Sequence, residues 1–261
     1  MKNIVFIEGV SGVGKSTIVS ILGEKLRELG YAVSCYFEGG PDSPLDLCWT
    51  AYLTKQKYEN LMTLYPCLAS DFSSNIIFQG EYILLRYQIG RRKLYSPDLH
   101  NILQKNEFCY NPTNIMPLSK FTEVFSCLWK RFLESNEIVK DYVIFDASLV
   151  SHMTNDLVRN YNATEIEIAR HLEILLNIIK PLNPIVFYLS SQDVAKRLAK
   201  ARESRGQTPP TDEQINFWEK RKQLDSSVLS RLLVETHIKD ISNDNWDSII
   251  DEIVSHITRQ T

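Results

Sequence analysis

The chain alternates unbroken apolar runs with segments whose apolar residues recur at helical spacing. Asn3 to Glu8 is a continuous Ile/Val/Phe run bounded by glycine. That is the pattern of a strand buried on both faces. From Lys15 to Leu29, the residues Ile18, Ile21, Leu22, Leu26 and Leu29 fall at helical spacing, and Gly30 closes the helix. Val33 to Phe37 reads as a second short strand, ending at Glu38-Gly39-Gly40-Pro41. Strand, glycine turn, helix and strand make a βαβ unit, which predicts a parallel sheet with right-handed crossovers.

Asp141 to Asp146 and Pro184 to Ser190 are further buried strands, the first ending in a carboxylate. Thr164 to Ile179 predicts a helix with Ile166, Ala169, Leu172, Leu176 and Ile179 on one face. Gln192 to Arg202 and Asp212 to Leu233 predict helices on either side of a turn from Gly206 to Pro210. Ile241, Ile249, Ile250, Ile253 and Ile257 place a helix at the tail. Between Pro41 and Asn136 the pattern is irregular, rich in aromatics and broken by Pro66, Pro97, Pro112 and Pro117. It reads as several helices, including Asn75 to Gln88 and Leu118 to Leu133. The expectation is one α/β domain over 1–261, with a core of 1–40 and 137–261 and a helical insertion at 41–136.

Composition narrows the class without changing that picture. Of 261 residues, 44% are hydrophobic and 23% charged, and the net charge is −3. This balance is that of a globular protein; it excludes disorder, and a strongly basic nucleic-acid surface is not expected. Cys35, Cys48, Cys67, Cys109 and Cys127 are odd in number and include no CxxC pair, so neither a disulfide framework nor a zinc site is expected. His100, His152, His171, His237 and His256 show no metal spacing, although His152 follows Asp146 closely enough to approach a site there. The N-terminal apolar run is too short for a signal peptide, and no run approaches membrane-spanning length. A cytoplasmic location is expected.

The candidate chemistry begins at Gly9-Val10-Ser11-Gly12-Val13-Gly14-Lys15-Ser16-Thr17, which fits the G-x4-G-K-S/T phosphate loop at every fixed position. Glycines let backbone N–H groups converge on phosphate oxygens, and the following helix presents its positive end. Lys15 is expected on the β- and γ-phosphates and Ser16 on Mg²⁺. The loop alone implies a bound nucleoside triphosphate, without deciding between kinase, ATPase and GTPase. Asp146, at a strand end, is the second candidate Mg²⁺ ligand. Glu38 ends the second strand, across the crevice from the γ-phosphate, and is the candidate base for a substrate hydroxyl. Asp42 and Asp46 follow; Asp42 is a candidate substrate contact and Asp46 a weaker one, unless one caps a helix.

Lys196 to Gly206 carries Arg197, Arg202 and Arg205 into a Gly/Pro-punctuated turn, which suits a mobile lid at about 197–212. Guanidinium groups there would stabilise charge on the transferred phosphoryl group, with Arg202 or Arg205 touching phosphate. Arg86 is a candidate for an anionic acceptor, while Arg91 and Arg92 are weaker ones. Trp49, Tyr52 and Trp129 are candidates for stacking on a planar one, although aromatics at helical spacing are more often core.

Together, EGVSGVGKST, the strand, helix and arginine run YLSSQDVAKRLAKARESR, and EQINFWEKRKQL resemble the thymidylate kinase-like group of P-loop kinases. That group includes thymidylate kinases and the related deoxyribonucleoside kinases. The resemblance covers residues 3–40 and 141 to about 233. It implies a P-loop NTPase three-layer sandwich with a central parallel sheet and an arginine-rich lid. Glu38 matches the hydroxyl-activating Glu of deoxyribonucleoside kinases. Asp146-Ala147-Ser148 is similar to their acid-Arg-Ser motif, with Ala147 in place of the arginine. The segment from Phe37 to the strand at Asp141 matches neither subgroup and resembles uncharacterised bacterial members.

The expected activity is transfer of the γ-phosphoryl of Mg·ATP to a hydroxyl of a small-molecule acceptor. A nucleoside or nucleoside-monophosphate kinase is the alternative; a regulatory NTPase is disfavoured, because no NKxD guanine reader occurs. Lys15, Glu38 and Arg202 form the expected catalytic set. Gly9, Ser11, Gly12, Val13, Gly14, Lys15, Ser16, Thr17, Arg197 and Arg205 are expected to bind ATP, and Glu38, Asp42 and Arg86 the acceptor. Nucleic acid and membrane are not expected partners; a homodimer stays open.

Overall fold

The computed structural model describes residues 3–111 and 115–259; Pro112, inside the expected insertion, lies outside the described residues. In chain order the strands and α-helices are β1 (Asn3–Glu8), α1 (Lys15–Glu28), β2 (Val33–Tyr36), β3 (Thr50–Thr54) and α2 (Lys55–Leu64). Then come α3 (Ala69–Asn75), β4 (Ile76–Gln79), β5 (Tyr82–Arg86), β6 (Gln88–Ile89), β7 (Arg92–Lys93), α4 (Pro97–Gln104) and α5 (Leu118–Leu133). The remainder is β8 (Tyr142–Asp146), α6 (Ser151–Asn160), α7 (Glu165–Ile179), β9 (Ile185–Ser190), α8 (Val194–Ser204), α9 (Asp212–Arg231), β10 (Glu235–Asp240) and α10 (Trp246–Arg259).

The apolar runs fold as strands because both of their faces are covered. In β1, Ile4 and Phe6 enter one core while Val5 and Ile7 enter another; β8 and β9 divide their side chains in the same way. These strands are the centre of a five-stranded parallel sheet in the order β10-β9-β1-β8-β2. α1 and α10 pack on one face, and α5, α7 and α9 on the other. The result is an α/β fold with a central parallel sheet flanked by helices. The carboxyl ends of β1, β8 and β9 come together at one edge, where an open α/β sheet binds its ligand. Among the described residues, no helix is long and apolar enough to cross a membrane.

The segment between β2 and β8 differs from the helical insertion expected. Asn75 to Gln88 is not a helix; β4 and β5 form a hairpin there, and β3 completes an antiparallel sheet in the order β3-β5-β4. Short apolar runs do not separate strand from buried helix by period alone. Here Gly80 breaks the run and the Ile, Phe and Tyr content favours the pleated surface. The two faces of β5 do different work. Tyr82 and Leu84 pack into the main core, whereas Ile83 and Leu85 join Leu53, Leu61, Phe72 and Leu99 in a core of the segment's own. β10 also lacked a sequence signal, because Glu235 to Asp240 is a polar edge strand held by its pairing with β9.

One core group sets an acid limit. His171 on α7 is buried, with Nδ1 2.8 Å from Thr122 Oγ1 and Nε2 3.3 Å from Met153 Sδ. Burial pushes its pKa down to about 4. The unfolded chain therefore takes up this proton first. The stability that neutral His171 contributes is complete above about pH 6.5 and is lost as pH falls toward 4, by roughly 3 kcal/mol. Urea midpoints at pH 7 and pH 4.5 should differ less in His171→Gln than in the parent chain; an equal difference refutes the assignment.

Candidate functional site

The loop between β1 and α1 is folded by its glycines. At Gly9 (φ 139°) a Cβ would lie 2.5 Å from the Leu189 carbonyl oxygen, and at Gly12 (φ 85°) 2.8 Å from that of Arg197. No other residue fits either place. Val10 and Val13 bury their side chains in the core under α1. Val13 thus reaches any ligand only through its backbone. Ser11, Gly12, Gly14, Lys15, Ser16 and Thr17 line a cleft of about 810 Å³. No side chain caps the start of α1. Its first amides therefore remain available to an anion, at the positive end of the helix. Lys15 Nζ donates to the carbonyls of Gly9 (2.9 Å) and Val10 (3.2 Å), which holds the ammonium against the loop.

Ser16 Oγ donates to Asp146 Oδ2 at 2.5 Å, and Asp146 Oδ1 is buried without a hydrogen-bond partner. Burial raises the Asp146 pKa, opposed by Lys15 and by the Ser16 bond. A buried carboxylate oxygen lacking a donor, beside a hydroxyl at the head of a phosphate-type loop, fits a hard divalent cation. Ser16 and Asp146, from opposite halves of the chain, are thus brought together.

Two buried clusters hold this geometry; of their residues only Arg221, in EQINFWEKRKQL, was marked by the sequence resemblance. Glu8, fully buried at the end of β1, accepts from the backbone of Leu149 (2.8 Å) and Ser151 (2.7 Å) and from Ser151 Oγ (2.6 Å). The same hydroxyl accepts from Gly9 N at 3.0 Å, so the loop and the start of α6 share one staple. Burial raises the Glu8 pKa against those hydrogen bonds. On the far side, Arg221 and Asp225 form a buried pair at 2.8 Å. Arg221 also donates to Ser151 O, and Tyr188 Oη donates to Asp225.

Glu38 follows β2 and enters the same cleft, its side chain 49% exposed. Its loop is fixed from beneath: Asp46, buried, accepts from Gly39 N and from Cys48 N. Glu38 Oε1 lies 3.6 Å from Nδ1 of buried His152, the second residue of α6. Desolvation acts to raise the Glu38 pKa, but His152, Lys15 and Arg205 together outweigh it and bring it down to about 2. His152 is drawn down by its own burial and, on balance, raised by Glu38, Asp46 and Asp156. Trp49, held at φ 53°, and Asn155 line the cleft beside Glu38.

The arginines divide differently from expectation. Arg197 lines the cleft, but its guanidinium is engaged by Asp244 and the Ile241 carbonyl and lies over Trp246, 5.4 Å from the ring centre. Arg202, expected to be catalytic, turns away: Nε donates to Thr208 O at 2.6 Å and Nη2 to Thr208 Oγ1 at 3.3 Å, closing the turn after α8. Arg205 and Lys200 line the cleft instead. Arg205→Ala should therefore slow any phosphoryl transfer by about 10²-fold, and Arg202→Ala by much less. Steady-state rates of the two variants decide; the reverse ranking overturns the placement.

On the acceptor side two expectations fail. Asp42 is exposed and does not line the cleft. Arg86 donates to the Pro41 carbonyl and lines a small neighbouring recess with Asp46 and Cys48. Of the three aromatics, Trp129 is core, edge-on to Phe6 and Phe145, and Tyr52 stacks on Tyr82. Trp49 alone of these reaches the cleft.

No protein-family model matches the chain. No curated protein matches it. Among solved structures it is similar to the YorR protein of Bacillus subtilis in complex with phosphorylated GDP, at 14% identity and a TM-score of 0.47, over 98% of this chain and 96% of that one.

Proposed function

We propose that the chain is a P-loop kinase that transfers the γ-phosphoryl of Mg·ATP to a hydroxyl of a small-molecule acceptor. One observation carries this reading: Glu38, Lys15 and Ser16 border a single cleft at the carboxyl edge of the sheet, with buried Asp146 hydrogen-bonded to Ser16 behind it. The loop amides and Lys15 bind the polyphosphate. Mg²⁺ would be held by Ser16 and Asp146 and, when bound, neutralises charge on the β- and γ-phosphates. Glu38 orients the acceptor hydroxyl and takes its proton as the oxygen attacks. Lys15 and Arg205 bear the charge that develops on the transferred group. Lys200 and Arg205 come from α8 and the turn that follows, so closure of that segment brings them in and excludes water.

A phosphate acceptor needs no base and normally needs arginine where Glu38-Gly39-Gly40 stands, so a hydroxyl acceptor is favoured. Trp49 beside Glu38 favours a planar group next to that hydroxyl, which keeps a nucleoside as the second reading. The test is a metabolite screen with γ-labelled ATP. Transfer to a non-nucleotide hydroxyl supports the first reading, and robust thymidine or dTMP phosphorylation supports the second. ATP turnover that stays slow with every acceptor but rises with a protein partner overturns both.

A further inference from the structure

We propose that Asp46, Cys48 and His152 form a binding site for a thiophilic divalent cation, of which Zn²⁺ is the best match. One ligand atom from each of these three residues lies within 4.8 Å of the others, so the donors already surround one point. Asp46 and His152 are buried. Cys48 lines both the main cleft and the recess beneath it, which gives an ion a way in.

A second observation points to a ligand here. His152 is 6% exposed, and its Nε2 is buried with no hydrogen-bond partner. Its Nδ1 is 2.9 Å from Tyr110 Oη, so Nε2 is the nitrogen left to bind. An unpaired buried imidazole nitrogen costs free energy unless something fills its lone pair. The supporting contacts are those of a ligand set rather than of a chance cluster. Gly39 N and Cys48 N each donate to a different oxygen of Asp46, which fixes the carboxylate, and the Cys48 thiol hydrogen-bonds to the same carboxylate, a contact that a cation held by both would replace. Tyr110 fixes the imidazole ring.

The donor types choose the metal. Thiolate, imidazole and one carboxylate suit Zn²⁺, whereas Mg²⁺ and Ca²⁺ take oxygen ligands. Three protein ligands leave one tetrahedral position, the arrangement of a zinc site that still admits a further ligand. Binding is balanced by loss of the Cys48 thiol proton to solvent as the sulfur–metal bond forms. The site is separate from the Ser16–Asp146 pair and does not depend on the kinase reading.

The test uses the full chain, stripped with chelator and titrated with Co²⁺ and then Zn²⁺. One Co²⁺ per chain is expected, with a near-ultraviolet sulfur-to-cobalt band that Zn²⁺ bleaches. Cys48→Ser should remove the band, and His152→Gln, which removes a ligand, should abolish stoichiometric uptake at micromolar metal. Lys15→Ala should leave the band unchanged, which separates this site from the phosphate loop. In the parent chain, which needs no variant to fold, Zn²⁺ should protect Cys48 from alkylation as read by peptide mass spectrometry. Absence of stoichiometric uptake at micromolar metal, a band that persists in Cys48→Ser, or unprotected Cys48 each overturns the proposal.

Discussion

Lys15→Ala is expected to lower phosphoryl transfer by at least about 10³-fold while the chain still folds. The ammonium is the single charge placed by the loop itself, and in its absence only Arg205 and Lys200, from outside the loop, supplement its amides. Its present partners are two backbone carbonyls, of Gly9 and Val10, at the edge of the cleft. Losing those bonds removes no buried packing, because Val10 and Val13 anchor the loop from below. The melting temperature should therefore move by only a few degrees. Labelled-phosphate transfer and a thermal melt on the same preparation give the result. Near parental activity in a folded variant refutes the phosphate-loop assignment.

Glu38→Gln is expected to reduce the turnover rate by about 10²- to 10⁴-fold with little change in ATP affinity. Glutamine keeps the size of the side chain and its ability to accept a hydrogen bond, but it cannot take the acceptor proton. Asp46 and Asp156 remain near His152, so the substitution does not strip that imidazole of negative neighbours. ATP affinity, followed through the fluorescence of the tryptophans lining the cleft, separates binding from transfer. A variant that binds ATP normally and turns over at the parental rate shows that another group takes the proton.

The central sheet was legible in the sequence because strands buried on both faces must be continuously apolar. Asn3–Glu8 matches to the residue, and Tyr142–Asp146 and Ile185–Ser190 match within one or two. Amphipathic helices were equally clear: Leu118–Leu133 matches at both ends. What failed had no periodic signature. β10 is a polar edge strand whose existence depends on β9, and the β4–β5 hairpin looked helical because both of its faces are apolar.

The site divides in the same manner. Loop residues are fixed by local spacing, so Gly9 to Thr17 could be read directly. Glu38 and Asp146 could be placed because strand ends converge. The roles of Arg197 and Arg202 depend on Asp244, Ile241 and Thr208, which spacing along α8 does not encode. Trp246, Ser151 and Asn155 line the cleft without a motif, each delivered by a helix whose own reason for being there is packing.

Ser151 and His152 are consecutive in α6, yet one is bonded to Gly9 and Glu8 at the start of the β1–α1 loop and the other stands 3.6 Å from Glu38. The Gly9 side and the Glu38 side of the cleft are thus referenced to a single peptide unit. A displacement of α6 would therefore be felt on both sides of the cleft at once. On the proposed kinase reading those two sides would hold donor and acceptor, and α6 would be their common reference.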